Sequence, residues 1–377
     1  MDLGLTEAQE MIRNSAREYL DREWPLARVR ELQEDEKGFQ SELWRQMAEM
    51  GWIGMAIPEQ YGGGGSSLTD VGVLHEELGR SCMSTPLHGS AVLCGGIIRE
   101  AGSDEQKQNL LPAIGSGDRI FALAQTEPDY GWGADTVQLT ATASGDGFTL
   151  SGSKLFTPYA HVADDLIVVA RTSAGTGSDG ITLLHVPTSS NGVSVRQLDG
   201  FVGDRPCHVS FDNVQVPASA VLGKVGGGWA PLQKATDEAI PVLCTFMAGG
   251  LRAAVDICIE YSGQRIAFGV PIATLARVQD WIILSINHAD GARWTAYEAL
   301  WRLDEGRSGA AESVSIAKTL GSQGFAEGMD AAHHVHGGIG VDMKYGLYLY
   351  LRQARTLYNY LGSPEFHREK IASILEV

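Results

Sequence analysis

The sequence is poor in cysteine and in positive charge. Its 377 residues hold five cysteines, an odd number without Cys-x-x-Cys spacing, which argues against a disulfide framework and a structural zinc site. Each cysteine is therefore expected to be a small buried side chain in a reducing compartment. Lysine and arginine total 29 against 46 aspartates and glutamates, a formal net charge of −17. Nucleic acid is not expected as a partner, because phosphate contacts need a basic stripe.

Long apolar runs and a basic leader are also missing. No run reaches the roughly 18 apolar residues that a membrane span needs, and residues 1–4 carry no basic segment of a secretory signal. These absences predict a cytoplasmic protein without a membrane partner. Hydrophobic residues make up 44% of the chain and charged residues 20%, a balance that supports a sizeable core and argues against disorder.

The hydrophobic period divides the chain into three blocks. Residues 1–118 have a helical period that opens with a capping-box pattern around Thr6. Residues 119–225 alternate with period two, and Gly145-Asp146-Gly147 is a hairpin signal. The helical period returns over 226–377, with a long helix expected from 232 to 264 despite Pro241. The pattern predicts an α+β chain with an N-terminal helical domain, a middle antiparallel β-sandwich or barrel, and C-terminal helices.

Four short motifs interrupt this pattern, and each has an ordinary structural explanation. Thr126-Glu127-Pro128 is a polar turn or a ligand loop, and Phe156 is a core aromatic or a stacking platform. The segment 265–272 ends a helix, and the segment 336–340 is a glycine-rich loop that can approach a phosphate. Three nearby histidines at 333, 334 and 336 lack a carboxylate or cysteine to complete a metal site, so no metal is expected.

Taken together and in this order, the motifs resemble the acyl-CoA dehydrogenase family from about residue 5 to residue 370. The resemblance implies a C-terminal four-helix bundle and an FAD between the β domain and the C-terminal helices, with the adenine end reaching a neighbouring subunit. The cofactor-binding residues that it implies are Leu123, Gln125, Thr126, Phe156, Thr157, Arg265, Phe268, His334, Gly337, Gly338 and Ser363. It further implies Asp237, Tyr360 and Gly362 as substrate-binding residues.

The chain departs from the family where the chemistry is carried. Leu361 occupies the position of the catalytic glutamate, and the alternative position for that base is Ala239. Glu238 is the leading replacement, although one residue along a helix is a rotation of about 100°. Pro241 makes an irregular helix possible there, because it removes a backbone donor. The arginine that the family uses for CoA is replaced by Ile240.

The resemblance implies α,β-dehydrogenation of an acyl-CoA thioester, with electrons passed to an electron-transfer flavoprotein. That reaction needs a carboxylate for the α proton and a flavin for the β hydride. It also needs a donor for the thioester oxygen, a role that the Leu361 N–H can retain. Three hypotheses follow: a homotetrameric dehydrogenase with an atypical base, a non-catalytic or half-site subunit in a heterotetramer with a paralogous subunit, resembling steroid side-chain dehydrogenases, and a flavin oxidase.

Overall fold

Helices and strands follow one another in the predicted order of helices, strands and helices. The computed structural model describes residues 4–129, 131–200 and 205–376. Its helices are α1 (Glu7–Glu23), α2 (Leu26–Glu34), α3 (Ser41–Glu49), α4 (Leu68–Arg80), α5 (Gly95–Ala101), α6 (Asp104–Gly115), α7 (Trp229–Gln264), α8 (Ala276–Asp304), α9 (Ala310–His336), α10 (Leu347–Leu357) and α11 (Pro364–Leu375). Its strands are β1 (Phe121–Ala124), β2 (Thr140–Ser144), β3 (Gly147–Pro158), β4 (Asp165–Arg171), β5 (Ile181–Pro187), β6 (Val193–Gln197), β7 (Pro206–Pro217), β8 (Val221–Leu222), β9 (Ile266–Ala267) and β10 (Val270–Pro271). The predicted fold class is confirmed.

The chain divides into two compact units. The helical unit comprises Met1–Asp35, Ser67–Ser84 and Ile240–Val377, and the sheet unit comprises Glu36–Ser66 and Thr85–Ala239. Within the helical unit, α9 packs against α8, α10 and α11. The first 118 residues therefore contribute to both units.

Local sequence signals explain where several helices begin. The Thr6 hydroxyl accepts from the Gln9 N–H while the Gln9 side chain returns to the Thr6 N–H, which confirms the expected capping box. The same reciprocal arrangement starts α4 at Ser67 and α6 at Ser103. The apolar stretch that follows Pro86 is helical as expected, but its His88–Cys94 portion is π-helical. Such segments are rare and often occur at functional sites.

The strands of the sheet unit form one eight-stranded sheet within the described residues. Its order is β6-β7-β3-β2-β4-β5-β8, with β1 paired to β4. The predicted hairpin is present, because β2 and β3 are antiparallel and joined by Gly145 and Asp146. Five strand pairs of this sheet are antiparallel among the described residues, as the predicted antiparallel sandwich or barrel implies. The prediction did not include the two parallel pairs, in which β1 and β2 each run parallel to β4. Parallel neighbours need a crossover, and between β1 and β4 the β2–β3 hairpin provides it.

Helix α7 is the long helix that the sequence predicts, and it continues through Pro241. Among the described residues it is the one helix long and apolar enough to cross a membrane by length and composition, and 78% of its most apolar window is buried inside the protein. Burial of that extent is typical of a core helix. The five cysteines are buried, as expected.

Candidate active site

A buried ion pair in the sheet unit fixes the loop that follows β1. The Lys154 ammonium, fully buried on β3, donates to the Gln125 carbonyl at 2.9 Å and to Glu127 Oε1 at 2.5 Å. Glu127 also accepts the N–H groups of Gln138 and Leu139. Burial lowers the pKa of Lys154 to about 8, against the opposing effect of the Glu127 charge. The pair thereby holds Gln125, a predicted cofactor residue, in one place.

Phe156 is displayed on the same strand beside this loop. The Leu155 N–H donates to the Thr126 carbonyl at 2.8 Å, which ties the loop to β3. The pairing of β3 with β7 shifts register between Lys154 and Thr157, and Phe156 has a left-handed φ of 53°. Its side chain is 47% exposed. Strained backbone of this kind persists only where its surroundings enforce it, and the exposed ring offers a face to a planar ligand.

Leu123 and Thr157 complete the predicted cofactor residues of the sheet unit. Leu123 is half-buried on β1, and Thr157 is buried. The Thr157 hydroxyl has no hydrogen-bond partner among the described residues. The ring system of a flavin has a planar face and a polar edge. The exposed ring of Phe156 fits the face. The half-buried side chains of Gln125 and Thr126, together with the Thr157 hydroxyl, fit the edge.

The predicted replacement base is held in an ion pair. Glu238, on α7 in the sheet unit, accepts a hydrogen bond from the Arg99 guanidinium, which also contacts Glu100 at 3.3 Å. Lys234 closes the group with a 2.7 Å bond to Glu100. Because α7 is continuous through Pro241, Glu238 and Ala239 point about 100° apart. The Ala239 carbonyl accepts from His88 Nε2 at 3.0 Å, and Asp237 is half-buried.

The segment that the family resemblance pairs with the catalytic glutamate is a tight turn before α11 in the helical unit. Leu361 has a left-handed φ of 60°, and its half-buried side chain packs against an apolar cluster. That cluster, called here the α7–α9 cluster, consists of Ile240, Cys244, Ala296, Ala299, Val314 and Ala317. Leu361 and Ile240 thus lie together at the positions where the family resemblance expects a glutamate and an arginine. The side chains of the cluster that surrounds them are apolar.

Gly362 and Ser363 shape the exit of the turn. Gly362 has a φ of 114°, and a Cβ there would lie 2.4 Å from His367 Nε2, so the position requires glycine. The Ser363 hydroxyl accepts from the Phe366 N–H at 3.2 Å and caps α11. The structure therefore gives Ser363 a capping role, and its predicted cofactor contact stays a prediction. Tyr360 is half-buried in the same turn.

Two buried basic residues beneath this turn were missed by the sequence analysis. Lys318 on α9 donates to the carbonyls of Tyr358 and Gly362 at 3.1 and 2.8 Å, and to the Ser322 hydroxyl at 2.6 Å. His367 Nε2 lies 3.0 Å from the Leu361 carbonyl. The available signal was a lysine on the apolar face of a helix, but sequence alone does not name its partners.

A short hairpin carries two further predicted residues. Arg265 lies between α7 and β9, and β9 and β10 join through Phe268 and Gly269, both with positive φ. The Arg265 N–H donates to the Tyr261 carbonyl at 2.9 Å, and its own side chain is exposed. Phe268 is 93% exposed. A single exposed apolar side chain is common on a protein surface, so the cofactor contact of Phe268 stays a prediction.

The end of α9 carries the remaining predicted residues. His334 stacks on Trp281 with ring centroids 4.5 Å apart, and Arg277 lies over the Trp281 ring. Gly337 and Gly338 are exposed, and nothing lies within 4 Å of a Cβ built on either. His333 and His336 bond to backbone carbonyls of α9 instead of converging with His334.

Comparison with known proteins identifies relatives along almost the whole chain. Three family models match in succession: the acyl-CoA dehydrogenase N-terminal domain over residues 6–118, the middle domain over 122–214 and the C-terminal domain over 226–375. The acryloyl-CoA reductase (NADH) of Anaerotignum propionicum is 30% identical over 99% of this chain and 95% of its own. The 3-(aryl)acrylate reductase of Clostridium sporogenes is 29% identical over 98% and 99%.

Solved structures agree with these matches. A chain from the work on the electron transferring flavoprotein of Acidaminococcus fermentans has a TM-score of 0.93 at 28% identity and covers 100% of this chain and 99% of its own. The FAD complex of PigA gives 0.93 at 26%, and the ChsE4–ChsE5 complex from Mycobacterium tuberculosis gives 0.90 at 26%, each over 100% and 99% of the two chains.

The fold and the order of the family matches define a flavoprotein oxidoreductase with the three-part architecture predicted from the sequence. The chain belongs to the acyl-CoA dehydrogenase family. The predicted family and the predicted type of enzyme are both confirmed.

Proposed function

We propose that this protein is a cytoplasmic FAD-dependent oxidoreductase that acts on the Cα–Cβ bond of an acyl-CoA thioester. The observation that carries the proposal is the turn at Leu361, which offers an amide donor at the family's catalytic position. Relatives named as an acryloyl-CoA reductase and an arylacrylate reductase support chemistry at this bond. Electron-transfer flavoprotein is the proposed electron partner, which a caffeyl-CoA reductase–Etf complex subunit, 28% identical to this chain, supports.

FAD supplies the hydride acceptor when it is bound. On the sheet unit, Phe156 would stack on the ring system while Leu123, Gln125, Thr126 and Thr157 line its edge. On the helical unit, the proposed cofactor contacts are Arg265, Phe268, His334, Gly337, Gly338 and Ser363. The exposed ring of Phe156 carries this assignment for the ring system, because a planar cofactor would cover it.

The turn at Leu361 can polarise a thioester without supplying a base. The amides of Tyr360 and Gly362 donate to Leu357 and Asn359 carbonyls, each at 3.2 Å. The Leu361 amide, between them, donates to no acceptor among the described residues. A fixed N–H at that place can stabilise the charge that develops on the thioester oxygen as the α proton leaves. Tyr360, Gly362 and Asp237 are the proposed substrate contacts.

Glu238 remains the proposed general base of a self-sufficient enzyme. Its ion pair with Arg99 opposes that role, because a paired carboxylate must leave its partner to reach substrate. Loss of a positioned base typically costs 10²–10⁴-fold in rate. If the proposal is right, Glu238→Gln lowers kcat about 100-fold or more. Glu100→Gln, in the same charged group, is the matched control and leaves kcat within about threefold. Unchanged turnover in Glu238→Gln eliminates this assignment.

A second function is favoured by the hydrocarbon at the catalytic position. Leu361 and Ile240 pack in the α7–α9 cluster, whose members among the described residues are all apolar and supply no carboxylate. A half-site or non-catalytic subunit paired with a paralogous chain tolerates that loss, because the partner supplies the base. The ChsE4–ChsE5 complex, which matches this chain closely in fold, is named as an assembly of two different proteins.

Flavin stoichiometry separates the two functions. The purified protein is scanned for flavin absorption and its assembly is weighed by native mass spectrometry, alone and after co-expression with a paralogous neighbour gene. One FAD per chain in a homotetramer supports a self-sufficient dehydrogenase. One FAD per two chains in a mixed tetramer supports a half-site subunit. A chain that binds no flavin in either preparation contradicts both.

A further inference from the structure

The turn at Leu361 is held by two buried side chains in addition to its own backbone hydrogen bonds. Lys318 and His367 are both fully buried. Between them they bind three of the carbonyls of residues 358–362: Lys318 binds those of Tyr358 and Gly362, and His367 binds that of Leu361. No carboxylate pairs with Lys318 among the described residues, so its charge is devoted to main-chain oxygens and one hydroxyl.

The tautomer of His367 follows from its neighbours. A carbonyl oxygen only accepts, so Nε2 must carry the proton that is donated to the Leu361 carbonyl. Nδ1 is then the acceptor, and the Ser315 hydroxyl lies 3.4 Å from it. Burial lowers the pKa of His367 to about 4, and the neighbouring Lys318 charge acts in the same direction. His367 is therefore a neutral, oriented donor at physiological pH.

These contacts leave one part of the turn uncommitted. The carbonyls of Tyr358, Leu361 and Gly362 bind Lys318 or His367, and the amides of residues 360 and 362 are bonded within the turn. The Leu361 side chain is anchored in the α7–α9 cluster. The Leu361 amide is the donor of this turn that has no acceptor among the described residues. Leu361 has a left-handed φ of 60°, a conformation that costs free energy and persists only where the surroundings enforce it.

We propose that Lys318 and His367 are positioning residues that hold Leu361 in its left-handed conformation, so that its N–H receives the thioester oxygen. The inference rests on the proposed function, and it adds to it the two side chains that preorganise the donor. A donor misplaced by about 1 Å loses much of its effect on rate. Neither side chain needs to touch substrate for this role.

Three variants test the role of each donor. Lys318→Met and His367→Leu each remove a donor while keeping a side chain of similar volume. His367→Gln is the matched control, because its amide nitrogen can replace Nε2 as the donor to the Leu361 carbonyl. All variants are made in the flavin-loaded full chain, and flavin content is measured first, so that a folding defect is recognised as such.

The first measurement is amide hydrogen exchange of the peptide containing residues 357–363. We expect exchange about tenfold faster or more in Lys318→Met and His367→Leu, and near wild type in His367→Gln. Variants that keep their flavin and exchange at the wild-type rate overturn the claim that these side chains hold the turn. This readout needs no substrate.

The second measurement compares thioesters with thioethers. Binding of butyryl-CoA and octanoyl-CoA is followed by the flavin spectrum, against S-butyl-CoA and S-octyl-CoA, which lack the carbonyl. We expect the wild type to prefer the thioester, and the two donor-removing variants to lose about tenfold or more of that preference while binding thioethers unchanged. Retention of the preference overturns the proposal.

The two measurements distinguish this inference from the proposed function. If the wild type shows no thioester preference and no turnover with either acyl-CoA, the proposed function fails for these substrates and the thioester role fails with it. Hydrogen exchange then still decides whether Lys318 and His367 hold the turn. A general loss of stability lowers thioether binding as well, and that result counts against a specific positioning role.

Discussion

At the scale of single residues, this protein places two lysines in its interior, each for a different purpose. Lys154 pairs with Glu127 and fixes a loop, whereas Lys318 binds carbonyl oxygens without a carboxylate. Burial lowers the pKa of both to about 8. Buried charges are costly unless they are fully hydrogen-bonded, so both sites make the stability of the fold sensitive to substitution.

The lowered pKa of Lys318 makes the free energy of unfolding depend on pH in the alkaline range. Its pKa falls from the usual 10.5 to about 8 in the folded chain. Between these values the unfolded chain binds more protons than the folded chain, so the free energy of unfolding rises with pH. We expect wild type to gain up to about 3 kcal/mol relative to Lys318→Met from pH 8 to 10. Denaturant unfolding at each pH measures this difference, and a difference that shrinks with rising pH contradicts the assignment.

Removing one partner of the other pair leaves a buried charge behind. Lys154→Met strands the Glu127 carboxylate, which is 8% exposed, and we expect a loss of about 3–5 kcal/mol. The double variant Lys154→Met with Glu127→Gln removes the charge and keeps an acceptor for the Gln138 and Leu139 amides. It should recover part of the loss. Equal stability of the single and double variants in urea unfolding would show that the stranded charge is not the cause.

At the scale of elements, most of the proposed contacts lie at strand and helix ends, whereas Asp237 and Glu238 lie within α7. The bulge in β3, the turn before α11 and the β9–β10 hairpin each hold a residue with a left-handed φ, namely Phe156, Leu361 and Phe268. The β9–β10 hairpin is the most exposed of them, since it presents Phe268 at its tip. Loops and the ends of elements are common sites of ligand contact, although the Leu361 side chain also packs against the α7–α9 cluster.

The hairpin supports a direct prediction. Phe268→Ala removes a ring that is 93% exposed and contributes little to the core. We expect the amount of flavin that the protein retains to fall several-fold. The free energy of unfolding of the flavin-free chain should change by less than about 0.5 kcal/mol. Flavin absorbance after gel filtration gives the first quantity, and urea unfolding gives the second. Met11→Ala, which removes another exposed apolar side chain, on α1, is the control, and equal flavin loss in both variants would make the effect nonspecific.

At the scale of the whole molecule, the acidic charge governs solution behaviour. The net charge of −17 at pH 7 keeps molecules apart, and it diminishes as 46 carboxylates and ten histidines bind protons. We expect turbidity of the concentrated protein to increase as pH falls from 7 toward about 5, where carboxylates begin to protonate. Light scattering across pH 4–8 measures this, with far-ultraviolet circular dichroism to verify that the fold persists. Greatest turbidity above pH 7 would contradict the charge argument.

Much of this architecture follows from local sequence, and the rest depends on distant contacts. The Thr6 capping box, the turn at Gly145 and the long helix through Pro241 were predictable because their signals lie within a few residues. The parallel pairing of β1 with β4 was not, since register between distant strands is set by the whole sheet. The ion pair of Glu238 with Arg99 joins residues 139 positions apart, and no local pattern announces it.

The hold on the bend before α11 also bears on how this chain can diverge. Lys318 and His367 form hydrogen bonds with main-chain oxygen atoms. These contacts therefore do not depend on the side chain at residue 361. A lineage can exchange the functional group at that position and still inherit the backbone around it intact. After a gene duplication, one copy can therefore keep a carboxylate at this position while the other keeps only the backbone conformation of the turn.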